Sequence, residues 1–170
     1  MRNRTLLGGF VFGLAAVAVG AALAASNGRW STHAAGGLES PPRSTHAQGQ
    51  AILKLSHDGS SLSYRLIAAN IDNVVAAHIH LGPIGVNGPI VAFLYGPAAP
   101  AGGGQNGVLS TGTITAANLI GPLAGKPLSD LVAAMESGNA YVNVHTNDGV
   151  DPPNTGPGDF PGGEVRGNLP

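Results

Sequence analysis

The sequence predicts an all-β domain, a sandwich or barrel, with one short helix. Seven short runs rich in β-branched and aromatic residues follow one another, each bounded by Gly, Pro, Asn or Asp clusters. A single later segment has its apolar residues at helical spacing instead. The chain has 170 residues with 27 glycines and 13 prolines, which gives room for one domain and many tight turns.

Residues 1–24 are predicted to be an export signal. Arg2 and Arg4 form a basic head, an apolar run follows from residue 6 to residue 23, and small residues at 22–24 fit a cleavage site. An uncleaved membrane anchor is the alternative, because the run approaches the roughly 20 residues of a spanning helix. Glycines within the run favour cleavage. Both outcomes predict an extracytoplasmic domain, periplasmic or secreted, and cleavage would leave it without a membrane contact.

Residues 25–49 are predicted to form a flexible leader. They are rich in Ser, Gly, Ala and Pro, and they show no period of two or of 3.6 residues. We therefore expect His33 and His46 to be solvated, and Trp30 to be at most an isolated anchor on the domain. The folded β-sandwich domain is predicted to cover residues 50–169.

The predicted strands begin with two runs on either side of Asp58 and Gly59. These residue types tolerate the positive φ of a hairpin turn, so His57 is expected at the exposed mouth of that turn. Five further strands are predicted over the runs NVVAAHIHLG, PIVAFLY, GVLSTGTIT, NAYVNVHT and GGEVRGNL.

One helix is predicted over residues 128–136, as a crossing between strands. Ser129 is the expected N-cap, and Gly138 is the expected stop signal. The apolar residues at helical spacing are Leu128, Leu131, Val132 and Met135.

Composition excludes several classes of function. Eight basic and nine acidic residues give a net charge of -1, so no basic face for nucleic acid is expected. The absence of cysteine excludes disulfides, thiolate metal sites and cysteine nucleophiles. No nucleophile-elbow serine, dinucleotide fingerprint or catalytic carboxylate pair is present, and GPIGVNGP lacks the lysine of a phosphate loop. The sequence therefore favours a role other than enzymatic, with histidine as the metal ligand it offers.

Three histidines are predicted to share one metal site. Side chains alternate along a strand, so His78 and His80 share one face while Ile79 faces the core. By the same alternation His145 shares its face with Asn143. If the two strands are neighbours, the imidazoles of His78, His80 and His145 can reach one zinc or copper ion. The alternative is that they are incidental polar residues at half-exposed strand positions.

Polar residues close to this triplet are candidates for support of the ligands. A ligating imidazole usually donates its other N–H to a carboxylate, a carbonyl or water. Asn143 either lines the site or fills an outer position. We favour the interpretation that Glu164 and Arg166, on either side of Val165, form a solvent-facing pair. The candidates are Asn143, Asp148, Glu164 and Arg166.

Three motifs, AAHIHLGPIGVNGPIVAFLY, GNAYVNVHTND and PGGEVRGNL, occur in an order that resembles the CHRD domain. This chordin-type domain is found in animal chordins and in many exported bacterial proteins. The resemblance covers residues 50–169, and it implies an immunoglobulin-like Greek-key sandwich with a limited similarity to copper/zinc superoxide dismutases. HIH looks like the strand that gives copper two ligands in those enzymes, and YVNVHTND looks like the strand that gives another. A bridging histidine, a zinc cluster and a cysteine pair are missing here.

These observations leave three classes of function. The first is an exported CHRD-domain protein that binds one transition-metal ion, with copper preferred to zinc because the resemblance is to a copper strand pair. The second is an extracellular interaction module that contacts a protein partner and has no metal, since the family occurs in multi-domain extracellular chains. A copper-dependent redox enzyme is the third.

Overall fold

The computed structural model describes residues 28–150, 152, 154 and 156–170. Eight strands and one α-helix, together with three short 3-10 turns, make up the regular structure of this part of the chain. The elements are β1 Arg29–Ala35, β2 Gln48–Leu55, β3 Leu62–Asp72, β4 Val74–Leu81, β5 Ile90–Tyr95, β6 Gly104–Ile114, α1 Leu128–Glu136, β7 Ala140–Thr146 and β8 Val165–Leu169.

The eight strands form one antiparallel sheet that nearly closes into a barrel. The strand order is β5-β4-β7-β8-β1-β2-β3-β6, so β5 and β6 are the two edges. Tyr64 on β3 and Ser110 on β6 both donate from their hydroxyls to the carbonyl of Leu94 on β5, each at 2.8 Å. Pairing of β3 with β6 and of β4 with β7 gives Greek-key connections. The predicted all-β class with one short helix is confirmed.

Every second residue of β4, β7 and β8 faces the barrel interior. Ile79 on β4, Val142 and Val144 on β7, and Val165 on β8 are fully buried in the core. Because side chains alternate, the residues between them point to the outer face of the sheet. This alternation fixes the direction of His78 before any hydrogen bond is considered.

The predicted leader over residues 25–49 is wrong where the structure describes it. Residues 29–35 form β1, which lies between β2 and β8 in the sheet. Trp30 is 4% exposed and belongs to the core, as does Ala34. The strand is stabilised by pairing with distant segments, along its whole length with β2, and local composition does not show this. His33 and His46 are exposed, as expected.

The prediction that residues 1–24 are an export signal lies outside the described residues. Within the described ranges, no helix is both long enough and apolar enough to cross a membrane.

The helix occupies the predicted residues and buries Leu128, Leu131 and Met135. Its N-cap is Pro127 rather than Ser129, and Gly138 follows the helix with a φ of +69°. Proline suits a helix start because its missing N–H would have no intrahelical partner there.

Trp30→Ala tests the assignment of β1 to the core. We expect the variant to lower the free energy of unfolding by about 3–5 kcal/mol, the usual cost of emptying a large buried aromatic site. Urea denaturation followed by far-UV circular dichroism measures this without using the fluorescence of the removed residue. His33→Ala on the exposed side of the same strand is the control, and equal losses for the two variants would contradict the assignment.

Candidate metal centre

His78, His80 and His145 meet on the outer face of the sheet. β4 and β7 are antiparallel neighbours, and their register places Asn143 opposite His78 and Tyr141 opposite His80. His145 follows two residues after Asn143 and so lies on the same face. One nitrogen from each histidine lies within 4.8 Å of the others, which allows the three to hold an ion. The structure therefore brings together the three residues that alternation selected.

The outer face is covered here rather than open to solvent. His78 and His80 are 6% and 7% exposed, and His145 is partly buried. Three irregular segments lie over these strands, and we call them the cover segments: residues 36–45, 82–89 and 158–163. Each contacts the outer face through hydrogen bonds, to Asn143, His80 and His145 respectively.

Backbone carbonyls assign the tautomers of two histidines. Nδ1 of His80 lies 2.9 Å from the carbonyl oxygen of Gly88, and Nδ1 of His145 lies 2.9 Å from that of Pro161. A carbonyl oxygen only accepts, so both Nδ1 atoms donate and both Nε2 atoms keep a lone pair. Nε2 of His145 lies 3.1 Å from Nδ1 of His78. Since Nε2 of His145 keeps its lone pair, it accepts from the Nδ1–H of His78. Nε2 of His80 is the nitrogen of the three that is buried without a partner. A metal ion could take Nδ1 of His78 only in the tautomer that carries its proton on Nε2.

The three nitrogens lie within 4.8 Å of one another, and one pair has the spacing of nitrogens that share a metal ion. Two nitrogens bound at about 2 Å with a tetrahedral angle lie about 3.3 Å apart, close to the 3.1 Å between His78 and His145. Nε2 of His80 is buried and has no hydrogen-bond partner. A buried nitrogen lone pair without a partner is unfavourable, and a cation would satisfy it.

Burial keeps the imidazoles neutral. It lowers the pKa of His78 from 6.5 to about 4, with further lowering from the neighbouring His145 and His80. Burial also lowers the pKa of His80 and of His145, against the opposite effect of the carbonyls of Gly88 and Pro161. Neutral imidazole is the form that binds metal, so burial favours the binding form at each of the three positions.

An aromatic and cationic stack supports His80 from the β7 side. The ring of Tyr141 lies 4.8 Å from that of His80, with 12° between the planes. The guanidinium carbon of Arg166 lies 3.5 Å from the centre of the Tyr141 ring. β7 lies between β4 and β8, so Tyr141 stands between the histidine and the arginine.

Arg166 also fixes the cover segment that contacts His80. It is fully buried, and it donates to the carbonyls of Pro83 at 2.8 Å and Val86 at 3.0 Å. Gly88, in the same segment, donates its N–H to the hydroxyl of Tyr141 and accepts from His80. Arg166 therefore orients the imidazole indirectly, through the loop that holds its Nδ1.

The favoured interpretation of Glu164 and Arg166 as a solvent-facing pair is wrong. Both are 0% exposed, although Val165 between them does face the core. The carboxylate of Glu164 accepts from the hydroxyls of Thr45 at 2.6 Å and Thr146 at 2.7 Å, and from the N–H of Gly158 at 2.9 Å. The cover segments exclude water from this face, which is why an outward direction did not mean exposure.

Asp148 and Asn143 differ in their relation to the site. The carboxylate of Asp148 accepts from the N–H of Val150 in a local turn, at 2.8 Å. Asn143 is 3% exposed, lies among the histidines on the outer face, and donates to Glu39 at 3.2 Å. Asn143 therefore lies opposite His78 on the outer face, with Glu39 as its hydrogen-bond partner.

Sequence reasoning missed the groups that orient the histidines. They are mainly backbone carbonyls, of Gly88 and Pro161, which carry no side-chain signal. One clue was the glycine at position 88, since a Cβ there would collide with the carbonyl of Leu81. Glu39 was also missed, because it lies in the segment that was interpreted as a leader.

A Greek-key barrel with three converging histidines under a loop cover defines a class: a β-barrel module with a candidate metal centre. The chain belongs to the CHRD domain family, whose model matches residues 30–153. That match begins within β1 and so agrees with a domain that starts well before residue 50. No curated protein and no solved structure matches the chain. The limited similarity to copper/zinc superoxide dismutases therefore stays a prediction.

Arg166→Met tests the support that this residue gives to the cover. Its loss removes the donors to the carbonyls of Pro83 and Val86 and the contact with the Tyr141 ring at a fully buried position, so we expect the free energy of unfolding to fall by about 3 kcal/mol. Arg166→Lys should restore only part of this, because a lysine cannot make the forked contacts. Urea denaturation measures both variants. The control Arg65→Met removes an exposed arginine, and a loss as small as the control's would contradict the role.

Proposed function

We propose that the chain is an extracytoplasmic CHRD-domain module that binds one transition-metal ion through His78, His80 and His145. The observation that most supports this is the buried Nε2 of His80, which lacks a hydrogen-bond partner and lies near two further imidazole nitrogens. A partnerless buried polar atom costs about 1–3 kcal/mol. Coordination to a metal ion removes that cost.

The ligands are held in place before any ion arrives. His80 and His145 are each anchored at Nδ1 by a carbonyl oxygen, and the ring of His80 is stacked on Tyr141. Side chains that are already fixed lose little conformational entropy on binding, and a hydrogen-bonded Nδ1 makes Nε2 a stronger ligand.

The donor set favours copper, with zinc as the alternative. Three neutral imidazole nitrogens suit both metals, whereas magnesium and calcium prefer oxygen ligands. Copper(II) binds nitrogen sites more tightly than zinc does in the general affinity order of divalent metals. Three protein ligands leave a position open for water or for a ligand from a partner. Three imidazole ligands with one open position are sufficient for storage, delivery or sensing of the metal.

Metal titration tests the proposal. Purified protein should bind one copper(II) ion per chain, and zinc more weakly, by isothermal titration calorimetry and metal analysis. The combined variant His78→Ala, His80→Ala, His145→Ala should lose this site. The matched control replaces three exposed histidines in the same way: His33→Ala, His46→Ala, His57→Ala.

The control variant should bind like the original protein. Circular dichroism establishes that both variants are folded before binding is compared. Equal copper binding by the original protein and the first variant, or no stoichiometric binding by the original protein, would overturn the proposal.

An extracellular protein-interaction module without metal is the second candidate. It is favoured by apolar side chains left in solvent on the connections: Ile84 is 76% exposed, Val150 65% and Val86 51%. Ile84 and Val86 belong to the cover segment over His80, so a partner bound there would also lie over the histidines.

A further inference from the structure

We propose that Glu39 is held as a neutral carboxylic acid, paired with Asn143 by two reciprocal hydrogen bonds, and that this pair makes the attachment of cover segment 36–45 sensitive to pH. The proposal does not depend on metal binding. It starts from two buried polar atoms that a carboxylate form of Glu39 leaves without partners.

Glu39 and Asn143 meet across the outer face of β7. Glu39 is 6% exposed and Asn143 is 3% exposed. The amide nitrogen of Asn143 donates to Oε2 of Glu39 at 3.2 Å. The remaining oxygen of each side chain, Oε1 of Glu39 and Oδ1 of Asn143, is buried and has no hydrogen-bond partner.

Both partnerless oxygens lie beside the same glycine. A Cβ on Gly163 would come within 2.8 Å of Oε1 of Glu39 and within 2.5 Å of Oδ1 of Asn143. Gly163 thus leaves room for the two side chains to lie next to each other, and its φ of +120° suits glycine.

A single proton satisfies both oxygens. If Glu39 carries it on Oε1, that hydroxyl donates to Oδ1 of Asn143 while the Asn143 amide donates to Oε2. The acid and the amide then form a ring with two hydrogen bonds. If Glu39 were a carboxylate, both of its oxygens could only accept hydrogen bonds. The Asn143 amide donates to one of them, so the other would remain buried without a donor, which is costly.

The charges around Glu39 do not reverse this preference. Burial raises the pKa of Glu39 to about 7, even though Arg166 on β8, Arg43 within the same segment, and hydrogen bonds from Asn143 and the Ser40 backbone all lower it. Arg166 directs its N–H groups to Asn168 and to carbonyls of the cover segment 82–89, and Arg43 directs its Nε–H to the carbonyl of Gly163.

Deprotonation would loosen the contacts that hold the cover. The same segment is joined to segment 82–89 through the Ser40 hydroxyl and the Gly85 carbonyl, and to segment 158–163 through Arg43 and Gly163. Those two segments supply the carbonyls that orient His80 and His145. Loss of the proton places a charge where the segment meets β7, so the attachment of the cover becomes less stable as the pH rises from 4.5 through 7.

Glu39→Gln separates the two protonation states. A glutamine amide makes the same pair of hydrogen bonds as the neutral acid and cannot ionise. The folded-state pKa of about 7 lies above the ordinary glutamate value of 4.5, so the stability that this group contributes is fully present below pH 4.5 and is lost as the pH rises through 7. We therefore expect the folding constant of the original protein, relative to Glu39→Gln, to fall about 150-fold between pH 4.5 and pH 8.

The measurement is urea denaturation of metal-free protein, with chelator present, across this pH range. Asp130→Asn, which removes an exposed carboxylate on α1, is the control and should not reproduce the pH-dependent difference. A constant difference between the original protein and Glu39→Gln over the range would overturn the proposal, as would a Glu39→Gln variant that fails to fold.

Infrared spectroscopy gives a readout that needs no comparison of stabilities. At pH 6 the original protein should show the carbonyl stretch of a protonated carboxylic acid, shifted in D2O, and Glu39→Gln should lack it. Hydrogen exchange of segment 36–45 should accelerate from pH 6 to pH 8 more in the original protein than in the variant, after correction for the intrinsic pH dependence. Absence of the infrared band would overturn the proposal and leave the metal titration unaffected.

Discussion

Antiparallel pairing of β4 with β7 is the constraint on which the rest of the site depends. The pairing brings His78 and His80 beside the strand that carries His145, and the burial of Ile79 and Val144 keeps all three imidazoles on the outer face. A shift of one residue in this register would send the histidines into the barrel interior. Because the core is dense with apolar side chains, that alternative is strongly disfavoured. The packing of the core therefore determines the geometry of the histidine site.

The outer face behaves as a second, polar interior. Glu164, Arg166 and Asn143 are buried there under segments of irregular structure. Hydrogen bonds attach these segments, and the guanidinium of Arg166 donates two of them to backbone carbonyls. Such an arrangement is specific in geometry and sensitive to the loss of one member, in contrast to the barrel core.

The sequence carried more information about direction than about burial. Strand alternation predicted which way His78, His80 and His145 point, and apolar spacing predicted the helix residues. β1 was missed because only Trp30 and Ala34 of its seven residues enter the core, and its stability comes from distant partners. The burial of Glu164 and Arg166 was missed because glycine- and proline-rich segments have no period that shows where they will lie. The position of Glu39 depended on both of these unpredicted features.

Closure of the barrel has a consequence for the behaviour of the protein in solution. A chain with only eight basic and nine acidic residues has little charge with which to keep its copies apart. An open sheet of this kind would offer unpaired strand edges to other molecules. The hydroxyls of Tyr64 and Ser110 bind the Leu94 carbonyl and draw β5 and β6 together. These two hydroxyls occupy one carbonyl of the β5 edge and bring the two edges of the sheet towards each other, which leaves less of that edge open to a strand from another molecule.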